Sequence, residues 1–321
     1  MTRISAMLTQ PAARAFGLLA LVIVLTAAFE PITLTSYGVT FDRVTDECLV
    51  AVGLTLLIIL GEIDLSVGST MAVAGTVAVR ASENLFLGTL AAIGVGLLIG
   101  LINAVLVLRA GVNSFIATLG TMTTLAGLAL LLTKNNPIPL RDQNAPITFT
   151  DNVIGQLTLP TLVVAGISVV CWIFLARTRI GREFYASGGN VEAAAAADVK
   201  VARRKTLGFV MCSVLAAVAG LLDTIKQASA SATLGQSVLL IAIAAAVLGG
   251  GALSGGRGSV AGAVMGSVAL GAISVALELQ GIDASLENVL IGAILFVAVV
   301  ANRESLDGLR LDILARRVRR T

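Results

Sequence analysis

Histidine is absent from all 321 residues, and charge is scarce. Without histidine the chain lacks the side chain best suited to a proton relay or a zinc site. Charged residues make up 13% of it, against about 25% in a soluble domain. So little polar surface cannot coat a water-soluble globule of this length, which excludes that class unless most of the chain lies in lipid. Three cysteines, Cys48, Cys171 and Cys212, lie in or beside apolar runs without paired spacing, and read as small hydrophobic fillers. No Gly-x-x-x-x-Gly-Lys-Ser/Thr motif occurs, and no nucleophile is set with a base. We therefore expect no catalytic residue, no metal, no cofactor and no nucleic-acid partner.

What is present is apolar. Hydrophobic residues form 57% of the chain, and the mean hydropathy is +0.96. Backbone amides in a bilayer must be satisfied internally, so spanning segments are helices or closed barrels. The apolar runs exceed the roughly 10 residues of a barrel strand and lack period-2 alternation. They fall at about 15–29, 46–61, 66–80, 85–108, 114–132, 159–177, 205–229, 237–251, 258–279 and 285–302. The expected class is an all-α, polytopic integral membrane protein with about ten transmembrane helices, forming a single domain over residues 1–321. The runs at 66–80 and 237–251 fall short of the roughly 20 residues of a full crossing, and read as broken or half-spanning. The first run has the length of a signal peptide, but the many that follow favour an uncleaved helix.

Thirteen of the 22 basic residues fall in two places, 177–205 and 303–320. The positive-inside rule puts both on the cytoplasmic side, with a basic tail at 303–321. Ten crossings then place both termini inside. The mostly acidic stretches 42–47 and 283–287 fall outside, as does the long connection 133–158. Pro137, Pro139 and Pro146 mark that connection as irregular, either a solvated loop or a place to meet a periplasmic partner. Asp223, Lys226 and Glu278 are charges near helix interiors. They fall toward run ends, where snorkelling accounts for them.

Three constellations stand out from the apolar background. In Gly61-Glu62-Ile63-Asp64-Leu65-Ser66-Val67-Gly68-Ser69, two carboxylates interrupt a hydrophobic stretch between glycines. Asp64 and Ser66 either cap the following helix or line a path. From Gly111 onward, Asn113 and Ser114 look like a helix start, and Thr118 and Thr121 share one face. Such hydroxyls suit a polar cavity or interhelical hydrogen bonds. The third lies in the basic loop 178–205. There Gly188 and Gly189 are expected to break the chain, Asn190 to cap, and residues 192–197 to form a short helix. A topogenic loop near anionic lipid explains the charges, but docking of a soluble partner also explains the break and the alanine helix. The glycines at 249–251 and 255–258 read as a tight turn between closely packed helices.

These residues resemble the ribose-type permeases of ATP-binding-cassette importers, which take up monosaccharides and related small polyols. The resemblance is carried by 61–69, 113–121, Gly181-Arg182 with 185–190, and 244–262, in order along nearly the whole chain. It implies a bacterial inner-membrane permease without an ATPase site of its own. It also implies three partners: a cytosolic ATP-binding-cassette ATPase, a periplasmic sugar-binding protein, and a second permease copy or related permease. By that match Gly181, Arg182, Gly189, Asn190, Glu192, Ala193 and Ala194 would couple to the ATPase. Asp64, Asn113, Thr118 and Thr121 would line the path. Glu62 and Asp198 stand where the family pattern carries glycine, and 193–197 lacks an arginine often found there. The competing reading, an ion-driven secondary transporter or channel, would require buried ionisable residues for coupling.

Overall fold

The computed structural model describes residues 35–296, apart from 82–83, 142–144, 284, 287–288 and 294–295. Helices α1 (Tyr37–Arg43) and α2 (Thr45–Ile59) lead into α3 (Val67–Ala81), α4 (Leu85–Leu108) and α5 (Ser114–Thr133). A connection follows that holds β1 (Ile138–Pro139), α6 (Ala145–Thr150), β2 (Asn152–Ile154) and β3 (Leu157–Thr158). Then come α7 (Leu159–Arg177), α8 (Arg179–Gly189), α9 (Val191–Ala196) and α10 (Val201–Lys226). Strand β4 (Ser229–Ala230), α11 (Val238–Leu248) and α12 (Val260–Leu279) follow.

Each of the eight apolar runs between 46 and 279 contains one of these helices. Five of them, α4, α5, α7, α10 and α12, are long and apolar enough to cross a membrane. The run at 15–29, most of that at 285–302 and the basic tail lie outside the described residues. The connection 133–158, expected to be irregular, holds one helical turn and short strands. Strand β1 pairs antiparallel with β4, Ile138 opposite Ala230, tying the connection to the end of α10.

The core is built around α2, all of whose residues are buried. Asp46 and Glu47 in its first turn complement the positive end of the helix dipole. Helix α10 packs against α2, α3 and α4. Small residues let these backbones approach, the usual device where lipid removes the hydrophobic drive between helices. A Cβ on Gly96 of α4 would lie 2.8 Å from the Ser213 carbonyl oxygen, and one on Gly100 would lie 2.6 Å from the Val210 Cα. By contrast α4 and α5 turn many large apolar side chains outward, among them Leu98, Leu101, Ile116 and Leu131. In a membrane protein those faces meet lipid or another subunit.

Helix α3 has 15 residues, or about 22 Å at about 1.5 Å per residue, short of the ~30 Å hydrocarbon core. It does not start at a face of the bundle. Ser66, just before it, belongs to a hydrogen-bonded group that includes Ser213, halfway along α10. The segment 61–66 thus enters the bundle from the end where α2 stops. A second interrupted stretch, 231–237, meets it there. A Cβ on Gly235 would lie 2.6 Å from the Gly68 carbonyl oxygen, so the two backbones touch. Gly235 has φ +83°, a conformation open to glycine at little cost.

Candidate functional site

Asp64 is fully buried at the meeting point of α3, α4 and α10. Its Oδ1 accepts from the Ser66 amide at 2.8 Å and from the Ser66 hydroxyl at 2.5 Å. Its Oδ2 accepts from Asn103 Nδ2 and Ser213 Oγ, both at 3.3 Å. Asn103 also donates to Ser66 Oγ at 3.0 Å and accepts from Thr121 Oγ1 at 2.7 Å. Thr118 Oγ1 donates to the Ser114 carbonyl at 2.7 Å and reaches the Ile63 carbonyl at 3.5 Å. A carboxylate this deep is tolerable because hydrogen-bond donors surround it.

Asp64, Thr118 and Thr121 are thus brought together. Asn113 is not: it is exposed, and caps α5 by accepting from the Phe115 amide at 3.0 Å. The capping reading of Asp64 and Ser66 describes what is seen, since the pair turns the chain into α3, and the same two residues anchor the polar cluster. Asn103 and Ser213 were missed by sequence reasoning. The available signal was an asparagine deep within a 24-residue apolar helix, a placement costly enough in lipid to require partners.

A polar cavity of about 1080 Å³ opens at the opposite end of α10 from Arg203 and Arg204. Asp42, Asp46, Gln156, Asp223, Lys226 and Glu278 contribute to its wall, and Gly235 is among its lining residues. Lys226 Nζ donates to the Asp42 carbonyl at 2.7 Å and to Thr45 Oγ1 at 2.9 Å, and lies 3.4 Å from Asp46 Oδ1. Asp223 Oδ1 accepts from Gln227 Nε2 at 2.7 Å. Snorkelling does not describe Lys226 and Asp223, whereas Glu278 is exposed in the last turn of α12. Lys226 and Asp223 lie along the cavity and are bonded within it, because α1 and the 150–158 segment fold over this end of the bundle. The contact of Gly235 with Gly68 places the cavity one short step from the Asp64 cluster.

At the other end, residues 178–205 fold onto the base of α2. Thr178 caps α8 by accepting from the Gly181 amide at 3.0 Å. The expected break at Gly188 and Gly189 does not occur: α8 runs through both, and the chain breaks at Asn190. Glycine is needed at 188 for approach rather than interruption, because a Cβ there would strike the Ile59 carbonyl oxygen. Asn190 accepts from the Ala193 amide at 2.9 Å and starts α9 one residue before Glu192. Tyr185 Oη donates to the Gly258 carbonyl at 3.0 Å, and the Gly256 amide donates to the Ile59 carbonyl at 2.8 Å. The glycine turn between α11 and α12 is thereby clasped against α8.

Glu183 accepts from Arg204 Nε at 2.5 Å and from Arg179 Nε at 2.8 Å. The Arg204 hydrogen bond, aided by Arg179, holds its carboxyl below the usual glutamate range. Of the seven residues expected to meet a partner, Arg182, Gly189, Asn190, Glu192 and Ala193 are exposed, whereas Gly181 and Ala194 are buried. A Cβ on Gly181 would lie 2.6 Å from the Leu175 Cα, so this residue shapes the element from inside. Asp198 has φ +60°, the conformation for which glycine is the easier residue.

A helical membrane bundle with interrupted segments meeting at mid-depth, a polar cavity above them and a helix pair laid across one end defines a membrane permease. The permease family described as "Branched-chain amino acid transport system / permease component" matches residues 43–299, and the chain belongs to it. The ribose import permease protein RbsC of Escherichia coli (strain K12) is 34% identical over 264 residues, 80% of this chain and 82% of that protein. RbsC of Bacillus subtilis (strain 168) is 33% identical over 303 residues, 90% of each chain. The autoinducer 2 import system permease protein LsrD of Photorhabdus laumondii is 32% identical over 273 residues, 80% of each. No solved structure matches the chain. The chain is a transport subunit and not itself the ATPase of such a system.

Proposed function

We propose that this chain is the inner-membrane permease of an ATP-driven, binding-protein-dependent importer of a monosaccharide or related small polyol. Two copies, or this chain and a related permease, would pair around the path. The family description names amino acids, whereas the relatives named above are ribose and autoinducer 2 import permeases, and the proposal follows the relatives. Substrate released by a periplasmic binding protein would enter the cavity beside Lys226. It would pass the Gly68–Gly235 contact and the Asp64 cluster when the bundle switches between its two openings.

The observation that carries this reading is the α8–α9 element. It is anchored by glycine contacts and ion pairs, yet presents Arg182, Asn190, Val191, Glu192 and Ala193 outward. Val191 keeps 48% of its surface exposed. An apolar patch edged by charges, on a rigid mount, has the make-up of a protein-docking surface. With this element facing the cytoplasm, both termini are cytoplasmic, the basic stretches obey the positive-inside rule, and the cavity opens to the periplasm.

The test is reconstitution in liposomes with an ATP-binding-cassette ATPase and a periplasmic sugar-binding protein from the same organism. Uptake of D-ribose, D-xylose and D-galactose is measured with and without ATP. ATP- and binding-protein-dependent uptake of at least one sugar is expected, abolished by Glu192→Arg with insertion intact. Uptake by the chain alone, or wild-type uptake in Glu192→Arg, would overturn the reading.

A further inference from the structure

Two neighbouring side chains near the start of α10 reach in different directions. Arg204 bonds Glu183 and so holds α8. Lys205 Nζ bonds Glu62 Oε1 at 2.6 Å and so holds the segment between α2 and α3. Both pairs are shielded, with side-chain exposures of 23% and 10% for the first and 16% and 11% for the second. Surface ion pairs contribute little and come apart readily. Shielded pairs resist separation, because losing one partner strands a desolvated charge.

The segment that Lys205 holds is stiff. The Gly61 amide donates to the Ile58 carbonyl at 2.9 Å, and the Glu62 amide donates to the Leu57 carbonyl at 3.2 Å. Two residues further on, Asp64 opens the buried cluster with Asn103, Thr121 and Ser213. A continuous chain of bonds therefore runs from α8 through the first turns of α10 to the centre of the bundle. Beside it run backbone approaches such as Gly188 on Ile59, which resist compression, and a route through the glycine turn, where Tyr185 donates to the Gly258 carbonyl and the Gly256 amide to that of Ile59.

We propose that Arg204 and Lys205 act as a two-sided clasp, positioning residues that transmit a displacement of the α8–α9 element to the segment 61–66. Pushing the element inward is carried by the glycine contacts. Drawing it back loads the two ion pairs, the second of which ends on Glu62 within the segment 61–66 itself. The inference rests on the docking reading given above and deepens it.

Deuterium exchange on the full complex with its ATPase, in nanodiscs, tests it with ATP as the only probe. In the wild type, ATP is expected to change exchange in peptides covering both 186–197 and 58–68. In Lys205→Met and Glu62→Gln the change at 186–197 should persist. The change at 58–68 should fall at least about fivefold, the low end of measured coupling between sites. The exchanged pair Glu62→Lys with Lys205→Glu should restore it, which mere loss of stability would not allow. An undiminished response at 58–68 in the single variants, or no restoration in the exchanged pair, overturns the clasp and leaves docking standing. Loss of both responses in the single variants identifies a docking defect and overturns it too. A wild type in which ATP leaves 186–197 unchanged removes the docking reading itself, and the clasp with it.

Discussion

Replacing Asn103 with leucine should unsettle the centre of the bundle more than any single hydrogen bond would explain. Asn103 is fully buried, and leucine nearly matches its shape, so the change is in bonding rather than volume. It removes the bond to the Asp64 carboxylate at 3.3 Å, the bond to Ser66 Oγ at 3.0 Å and the one accepted from Thr121 at 2.7 Å. With about 2 kcal/mol for the bond to the carboxylate and about 1 kcal/mol for each neutral one, the loss is about 4 kcal/mol. Thr121 retains only its bond to the Ala117 carbonyl, and Asp64 Oδ2 only Ser213. The free cysteines Cys48, Cys171 and Cys212 are all buried, so a thiol-reactive dye reports unfolding in detergent without a label. The expected fall in melting temperature is roughly 5–10 °C. Asn113→Ala, which removes an exposed cap, should cost only about 1 kcal/mol. Thr121→Val added to Asn103→Leu should cost less than it does alone, because the shared bond is already gone. A melting temperature for Asn103→Leu no lower than that of Asn113→Ala, or additive effects of the pair, would refute the network.

Gly188→Ala should destabilise by about 1–3 kcal/mol and displace the α8–α9 element, because its methyl meets the Ile59 carbonyl; the dye melt and ATPase stimulation of the complex check both. Asp198→Gly should raise stability by up to about 1 kcal/mol, since it relieves a left-handed residue just after α9; a lower melting temperature contradicts this. Because the folded pKa of Glu183 is depressed, its stabilising contribution is present above the unfolded value of about 4.3 and is lost as the pH falls below it. The pH profile of the melt should thus flatten at its acid end in Glu183→Gln, and an unchanged acid limb would show that Glu183 does not contribute to it.

The sequence alone determined that this chain is a helical bundle in a membrane. That follows from solvation: with 57% hydrophobic residues and 13% charged, lipid is the only solvent that suits the surface. Local chemistry also announced its own structure. Asn113 and Asn190 cap the helices they precede, and Thr118 and Thr121 share a face, because these effects reach only three or four residues.

What the tertiary structure decided is which distant group each polar residue meets. Nothing local to Asn103 names Asp64, Ser66 and Thr121 as its partners, and nothing beside Lys226 names Asp42 and Asp46. The same holds for Gly188, which within its own neighbourhood looks like a helix breaker. Only the arrival of Ile59 from another helix makes it the one residue small enough to fit. A buried polar group must find a partner, and that demand can be read from the chain. The partner's identity depends on how whole helices pack, a long-range outcome set by the sum of many close backbone approaches.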